Sequence, residues 1–240
     1  MKAARIHGPR DIRVESVSDP SILKDEILVK VKACGICGSD IHVYKTGYSS
    51  SSKLPVILGH EFSGEVVDIG QHVTGINIGD QVVGTGIRSC KQCHWCLKGQ
   101  SYRCTSPSVP GEGLDGAFAE YVVVPNPIVG QTLFPLPDGA GWDKAATIEP
   151  LAVSCFAVRR ARLRLGETVV VLGAGMIGQG IAQACKAEGA SRVIVSEPSH
   201  PRLDMAARLG ADVVINPRDN DPIEAVTKAT WGEMADVVFE

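Results

Sequence analysis

Residues 168–178 read T-V-V-V-L-G-A-G-M-I-G, and this run decides the architecture of the C-terminal part of the chain. TVVVL has the length and β-branched texture of a buried strand. It runs into G-x-G-x-x-G at the mouth of a helix predicted from Met176 to Glu188. Gly173 permits the tight turn, Gly175 lets the backbone approach a pyrophosphate, and Gly178 allows the helix to pack closely on the strand. Gly173, Gly175, Met176, Ile177 and Gly178 are therefore candidate dinucleotide contacts, with exposed amides at the helix start to attract phosphates. Glu197 follows nineteen residues after Gly178, at the end of the next strand. There a carboxylate accepts from both ribose hydroxyls and repels a 2′-phosphate, which favours NAD. Arg202 either supports the same ribose or accommodates the extra phosphate of NADP. The plain alternative is that the glycines are turn residues and Glu197 a surface charge.

Working outward, strands and helices alternate strictly. RVIVS (192–196), a helix over 202–209, DVVIN (212–216), a helix over 223–231 and DVVFE (236–240) follow the glycine loop. Buried β-branched runs separated by helices imply a parallel sheet. The chain ends at Glu240 with the fourth strand of a sheet that usually has six, so a fragment or a truncation is expected. Upstream, LAVSCFAVRRARL (151–163) has helical spacing and reads as a linking helix. The first third differs: DIRVESV, EILVKVKA, EFSGEVVDIG, QVVG and AFAEYVVV are short strands between Gly, Pro and Asp turns. That spacing suggests a small barrel or sandwich. The expected division is 1–150 and 151–240. Residues 49–53 (SSSSK) read as a polar loop.

The 240 residues carry a formal charge of −3, which gives no electrostatic reason to expect nucleic acid or an anionic membrane as partner. No signal-peptide pattern and no apolar run of ~20 residues is visible. With eight cysteines and no export signal, a reducing cytoplasm is the expected compartment.

Cys90, Cys93, Cys96 and Cys104 crowd into the run SCKQCHWCLKGQSYRC. Four soft donors at this spacing suit one tetrahedral zinc whose closed shell holds a loop and does no chemistry. Two disulfides are the alternative, and His94 reads as a bystander. Cys37 and His60 lie outside this cluster. With a carboxylate from Glu61 or Glu149 they would make an open zinc shell, although lone Cys and His residues often only pack. Cys34, Cys155 and Cys185 read as small core residues, and His7, His72 and His200 receive no role.

The motifs A-C-G-I-C-G-S-D-I-H, G-H-E-F-S-G-E-V, C-x2-C-x2-C-x7-C, E-P-L and V-L-G-A-G-M-I-G occur in the order found in zinc-containing medium-chain alcohol dehydrogenases. The resemblance runs from the first residues to Glu240, and Glu149-Pro150-Leu151 resembles the branch of sorbitol, butanediol and threonine dehydrogenases. It implies an α/β protein with a GroES-like β-barrel catalytic domain, followed by a Rossmann doubly wound sheet that is C-terminally incomplete. It also implies two zincs per chain, one catalytic and one structural, NAD as cofactor, a small alcohol or polyol substrate, and a homodimer or homotetramer at full length. Position by position, Cys37, His60 and Glu149 resemble the catalytic zinc ligands, with Glu61 an alternative or exchanging ligand. Ser39 resembles the hydroxyl that takes the substrate proton, His42 a later station of that relay, and Asp40 the carboxylate that fixes His60.

Three functions are compatible with these residues. The first is a zinc- and NAD-dependent dehydrogenase of secondary alcohols, polyols or amino alcohols, with L-threonine 3-dehydrogenase as a specific form. The second is a metal-free quinone or enoyl reductase, against which Cys37, His60 and the four loop cysteines argue. The third is an inactive truncated product.

Overall fold

The computed structural model describes residues 1–47, 54–84, 89–111 and 113–240. The 49–53 loop expected from the sequence lies outside the described residues. Two units part at Glu149 and Pro150.

The first unit begins with β1 (Lys2–Gly8), β2 (Asp11–Ser16) and β3 (Glu26–Gly35), followed by helix α1 (Gly38–Thr46). Next come β4 (Val56–Ile57), β5 (Glu61–Ile69) and β6 (Gln81–Gly84). The cysteine loop holds a one-turn helix α2 (His94–Leu97) and the pair β7 (Val109–Pro110) and β8 (Gly113–Leu114). β9 (Tyr121–Pro125), β10 (Leu133–Pro135) and α3 (Trp142–Ala146) complete the unit. Its five-stranded sheet runs β10-β6-β5-β3-β9 and a three-stranded one β2-β1-β4, with antiparallel pairs throughout. Alternate residues point inward: Ile27 and Val29 of β3, Phe62 and Val66 of β5, and Val122 and Val124 of β9 are all essentially unexposed. Period-two burial is what the alternation in EILVKVKA demands.

AFAEYVVV is a strand only in its second half. The amides of Ala117 and Phe118 instead bond to the carbonyls of Gly59 (2.8 Å) and Leu58 (2.9 Å), so this half braces the residues just before His60.

The second unit opens within α4 (Ile148–Ala161) and continues through β11 (Thr168–Leu172), α5 (Met176–Glu188), β12 (Arg192–Ser196), α6 (His200–Arg208), β13 (Val213–Ile215), α7 (Pro222–Ala229) and β14 (Val237–Phe239). The sheet order is β13-β12-β11-β14, all parallel. Val169, Val171, Val193 and Val195 pack on α5 and α6, whereas Val170, Ile194 and Ile215 pack with Val226 of α7. Both faces are buried, which is why these strands read as unbroken apolar runs.

α5 spans Met176–Glu188 as its pattern predicts, whereas α4, α6 and α7 start one to three residues before theirs, because caps and first-turn prolines rather than periodicity set their first turns. Ser199 stands at the N-cap position of α6, its carbonyl accepting from the amides of Arg202 and Leu203, and Pro201 sits in the first turn. The Asp221 carboxylate accepts from the amides of Ile223 (2.8 Å) and Glu224 (3.1 Å) at the start of α7. In α4, Pro150 occupies the first turn, where a missing N–H leaves no partner unsatisfied. Among the described residues, no helix is long and apolar enough to cross a membrane.

Candidate metal centres and dinucleotide site

β3 ends at Gly35 and β5 begins at Glu61, and the antiparallel register places these two residues opposite one another. Cys37 caps α1 just after β3, and His60 immediately precedes β5. The pairing of two strands therefore brings together side chains more than twenty positions apart. One donor atom each from Cys37, His60 and Glu61 lie within 4.8 Å of one another. Ligands 2.0–2.3 Å from a shared tetrahedral ion stand roughly 3.3–3.8 Å apart, so small side-chain movements close this set on one zinc. A thiolate, an imidazole and a carboxylate suit that ion and leave one position open.

Glu149 is half-buried and outside this donor cluster. It stands near enough to feel its charges. Burial raises its carboxyl above the usual range, with His60 opposing and Glu61 adding to the rise. The structure thus gathers Glu61 with Cys37 and His60, and leaves Glu149 at the margin. Cys34 is the other thiol nearby. Burial, with Asp40 adding, pushes it up to about 12, so it stays protonated and is a poor donor.

Asp40 ties the site together. Its Oδ2 accepts from the Cys37 amide at 2.8 Å and its Oδ1 from the Gly59 amide at 3.4 Å. His60 Nδ1 lies 4.0 Å from the same Oδ1, an ion-pair distance and not a hydrogen bond. The carboxylate thus aligns the backbone on either side of the cluster more directly than it orients the imidazole. Burial raises its pKa against the pull of the Cys37 amide, His60 and the Gly59 amide. In Asp40→Asn, an amide N–H faces one of those backbone donors. We expect zinc retention to fall about 10–100-fold in chelator competition; undiminished retention would remove Asp40 from this role.

Ser39 is half-buried and His42 exposed, three residues apart on α1 and hence on one face. Nothing in the apolar periodicity of the sequence marks α1 as a helix. Only Asp40 and Val43 of its nine residues are buried, so no apolar stripe marks it. The signal that was present is Asp40 three residues after Cys37, the reciprocal geometry of a capping box.

In the cysteine loop, the Sγ atoms of Cys90, Cys93, Cys96 and Cys104 lie within 4.8 Å of one another, and all are free thiols. Cys93 and Cys96 are 3.5 Å apart, and Cys90 and Cys96 4.0 Å. Backbone amides aim at the sulfurs: Cys90 N to Cys104 Sγ at 3.2 Å, Cys93 N to Cys90 Sγ at 3.3 Å and Ser106 N to Cys104 Sγ at 3.4 Å. The amides of Thr105 and Cys96 hold Cys93 down to about 5. Burial and the neighbouring Cys93 sulfur push Cys96 up to about 11. Four converging sulfurs with amide support are what a closed tetrathiolate zinc site requires. His94 is exposed and stacks edge-on against Trp95, with ring centroids 5.2 Å apart, while the Arg103 guanidinium sits 3.4 Å above the Trp95 ring.

At the dinucleotide loop, Gly173 has φ 95°, a left-handed conformation that strains any other residue. Its amide bonds to the Ser196 carbonyl at 2.7 Å, tying the ends of β11 and β12. A Cβ at Gly178 would collide with the Gly173 carbonyl oxygen, which is backbone and cannot yield. Gly178→Ala is therefore expected to push α5 off β11, costing about 1–3 kcal/mol of stability. It should also weaken NADH binding at least about tenfold by fluorescence titration. Wild-type NADH affinity would show that this close packing does not serve the nucleotide.

Glu197 is 4% exposed, its Oε2 accepting from the Ala174 amide and its Oε1 from the Ser199 amide, both at 2.9 Å. Burial raises its pKa, but these amides and Arg202, 3.7 Å away, outweigh that and hold it below the usual carboxylate range. Each oxygen keeps a lone pair for a ribose hydroxyl. Met176 and Ile177 are partly exposed at the start of α5, and the Arg202 side chain is largely exposed.

Two family models match the chain: the alcohol dehydrogenase GroES-like domain over residues 23–138 and zinc-binding dehydrogenase over residues 177–240. The sorbitol dehydrogenase of Bacillus subtilis is 36% identical over 243 residues, covering 100% of this chain and 68% of that protein. An L-threonine 3-dehydrogenase of Pyrococcus abyssi is 40% identical over 243 residues, covering 100% of this chain and 67% of its own. The chain belongs to the zinc-containing medium-chain alcohol dehydrogenases. Among solved structures of similar proteins, galactitol-1-phosphate dehydrogenase from Escherichia coli superposes with a TM-score of 0.89 at 30% identity, over 99% of this chain and 67% of that one. The chain thus spans about two thirds of the length of these family members. Its GroES-like barrel and Rossmann-type parallel sheet are those of the family.

Other residues differ from the sequence reading. Cys155 is exposed on α4 and is not a core residue, because the buried positions of that helix are Pro150, Ser154 and Val158. Cys185 is buried as expected. His7 pairs with Glu15 (3.3 Å), His72 with Asp25 (2.9 Å), and His200 lies 3.3 Å from the Asn216 amide; each of these three histidines has a local partner the sequence did not reveal.

Proposed function

We propose that the protein is a zinc- and NAD-dependent oxidoreductase that moves a hydride between NAD and a secondary alcohol, polyol or amino alcohol. The observation that carries this reading is the convergence of Cys37, His60 and Glu61, three unlike donors that leave one coordination position for a substrate oxygen. In this reading Cys37 and His60 hold the catalytic zinc with a glutamate; proximity favours Glu61, with Glu149 as the exchanging partner. Cys90, Cys93, Cys96 and Cys104 hold a structural zinc. Residues 1–150 form the zinc-binding catalytic domain and 151–240 the NAD-binding one.

Zinc bound at the first site supplies Lewis acidity that lowers the pKa of an alcohol, and bound NAD supplies the hydride acceptor. The chain's own residues then manage the proton and the cofactor. Ser39 accepts the hydroxyl proton while its own hydroxyl proton passes on toward His42. His42, exposed on the same face of α1, releases it to solvent. Positions three apart on a helix are about 5–6 Å from each other, so one hydroxyl or water bridges them. Glu197 takes the adenosine ribose through its free lone pairs, Arg202 supports it, and the amides from Gly175 to Gly178 take the pyrophosphate.

A reducing cytoplasm suits the free thiols. A homodimer or homotetramer is the proposed assembly, and L-threonine 3-dehydrogenase is the narrower form of the activity. The test pairs metal analysis with initial rates on a panel of polyols, 2,3-butanediol and threonine, each with NAD and NADP. Two zincs per chain and NAD-linked turnover of at least one panel member are expected. Well under one zinc per chain would remove the reading.

A further inference from the structure

We infer that Gly35 is a positioning residue of the metal centre: the lack of a side chain there admits the Glu61 carboxylate to the Cys37–His60 donor cluster. This rests on the proposed role of that cluster and deepens it. Gly35 is the last residue of β3 and pairs directly with Glu61 of β5. Its φ lies outside the left-handed region, so the backbone itself does not call for glycine. What forbids a side chain is Glu61. A Cβ at position 35 would collide with Glu61 Oε2 and stand 3.1 Å from its Cβ and 3.3 Å from its Cδ. By contrast, a Cβ at Gly38, three residues on, would meet open space.

Glu61 is 8% exposed, and its side chain curls back over Gly35 with its carboxylate beside Cys37 and His60. The atom met most closely, Oε2, is the far end of a flexible side chain, so alanine at position 35 displaces the carboxylate; the Glu61 Cβ, fixed to β5, asks a further shift of only a few tenths of an ångström. The larger loss therefore falls on the metal, and any loss of fold traces to the same carboxylate.

The test is a double-mutant cycle on zinc affinity by chelator competition, with the visible spectrum of the cobalt-substituted protein as second readout. Gly35→Ala is expected to lower affinity at this site about 10–100-fold and to shift the cobalt bands as Glu61→Ala does. In the Glu61→Ala background, Gly35→Ala should change affinity by less than about twofold, since the carboxylate is already gone and only the Cβ of residue 61 remains nearby. A Gly35→Ala protein that misfolds while the double variant folds also supports the inference. It is overturned by wild-type affinity and spectrum in Gly35→Ala, by equal losses in both backgrounds, or by misfolding of the double variant. Failure of the wild-type protein to take up a second metal would instead sink the proposed function, before any variant is made.

Discussion

Cys37→Ala is expected to abolish alcohol oxidation while NADH still binds with nearly wild-type affinity. Zinc can lower the pKa of a bound water from ~15.7 to ~7, and about nine units correspond to roughly 12 kcal/mol. A positioned general base typically supplies roughly 3–5 kcal/mol. Even half of the metal's share, about 6 kcal/mol, is more than ~10⁴-fold in rate. Cys37 contributes the sulfur of the open cluster, and its loss leaves His60 and Glu61 as a two-donor site. Metal analysis should fall from two zincs per chain to one, with the loop cysteines still loaded. The nucleotide groups lie in the other unit of the chain, in the loop from β11 into α5, just after β12 and on α6, so NADH affinity is the internal control. Equal loss of turnover and NADH affinity would mean that Cys37 acts through folding.

Cys93→Ala should produce the opposite pattern, a loss mainly of stability. The Cys93 Sγ is 3.5 Å from the Cys96 Sγ, and the Cys93 amide donates to Cys90 Sγ, so this residue touches two other members of the cluster. Structural zinc binding contributes apparent free energies of about 10–16 kcal/mol in small zinc peptides. Here much of the protein folds around its own cores, and the loss is confined to what the loop braces. A destabilisation of about 3 kcal/mol would lower Tm by roughly 6–12 °C for a chain of this size. One zinc should remain, held by the cluster at Cys37. A variant with unchanged Tm and full activity would contradict a structural metal in this loop.

These two substitutions separate the sites because the sequence separates them. The loop cysteines lie within fifteen consecutive residues, so their spacing alone announces a shared ligand. Cys37 and His60 are twenty-three residues apart, and without the family resemblance each could pass for packing. The alternation of TVVVL, RVIVS and their helices was legible for a similar reason. Strands buried on both faces write unbroken apolar runs, and helices between them write a 3.6-residue period. α1 wrote neither, since a metal-ligand candidate and a buried aspartate start it and most of its surface is exposed. α5 starts at Met176 as its pattern predicts, whereas α4, α6 and α7 start one to three residues before theirs, because Asp221 acts through backbone amides and Pro150 and Pro201 through ring geometry, which apolar periodicity does not record.

Local chemistry was thus decided along the chain: the parallel sheet, the glycine loop with its acidic partner Glu197, the four-sulfur cluster and the β-rich first part. The placement of Glu61 against Glu149, the bracing of Cys37 and Gly59 by Asp40, and the vacancy at Gly35 belong to the tertiary structure alone. Each depends on the register between β3 and β5 or on a carboxylate reaching across a loop. Such contacts join residues far apart in the chain. They are set by which strands pair and by how much room a neighbour leaves, and neither leaves a periodic trace in the order of amino acids.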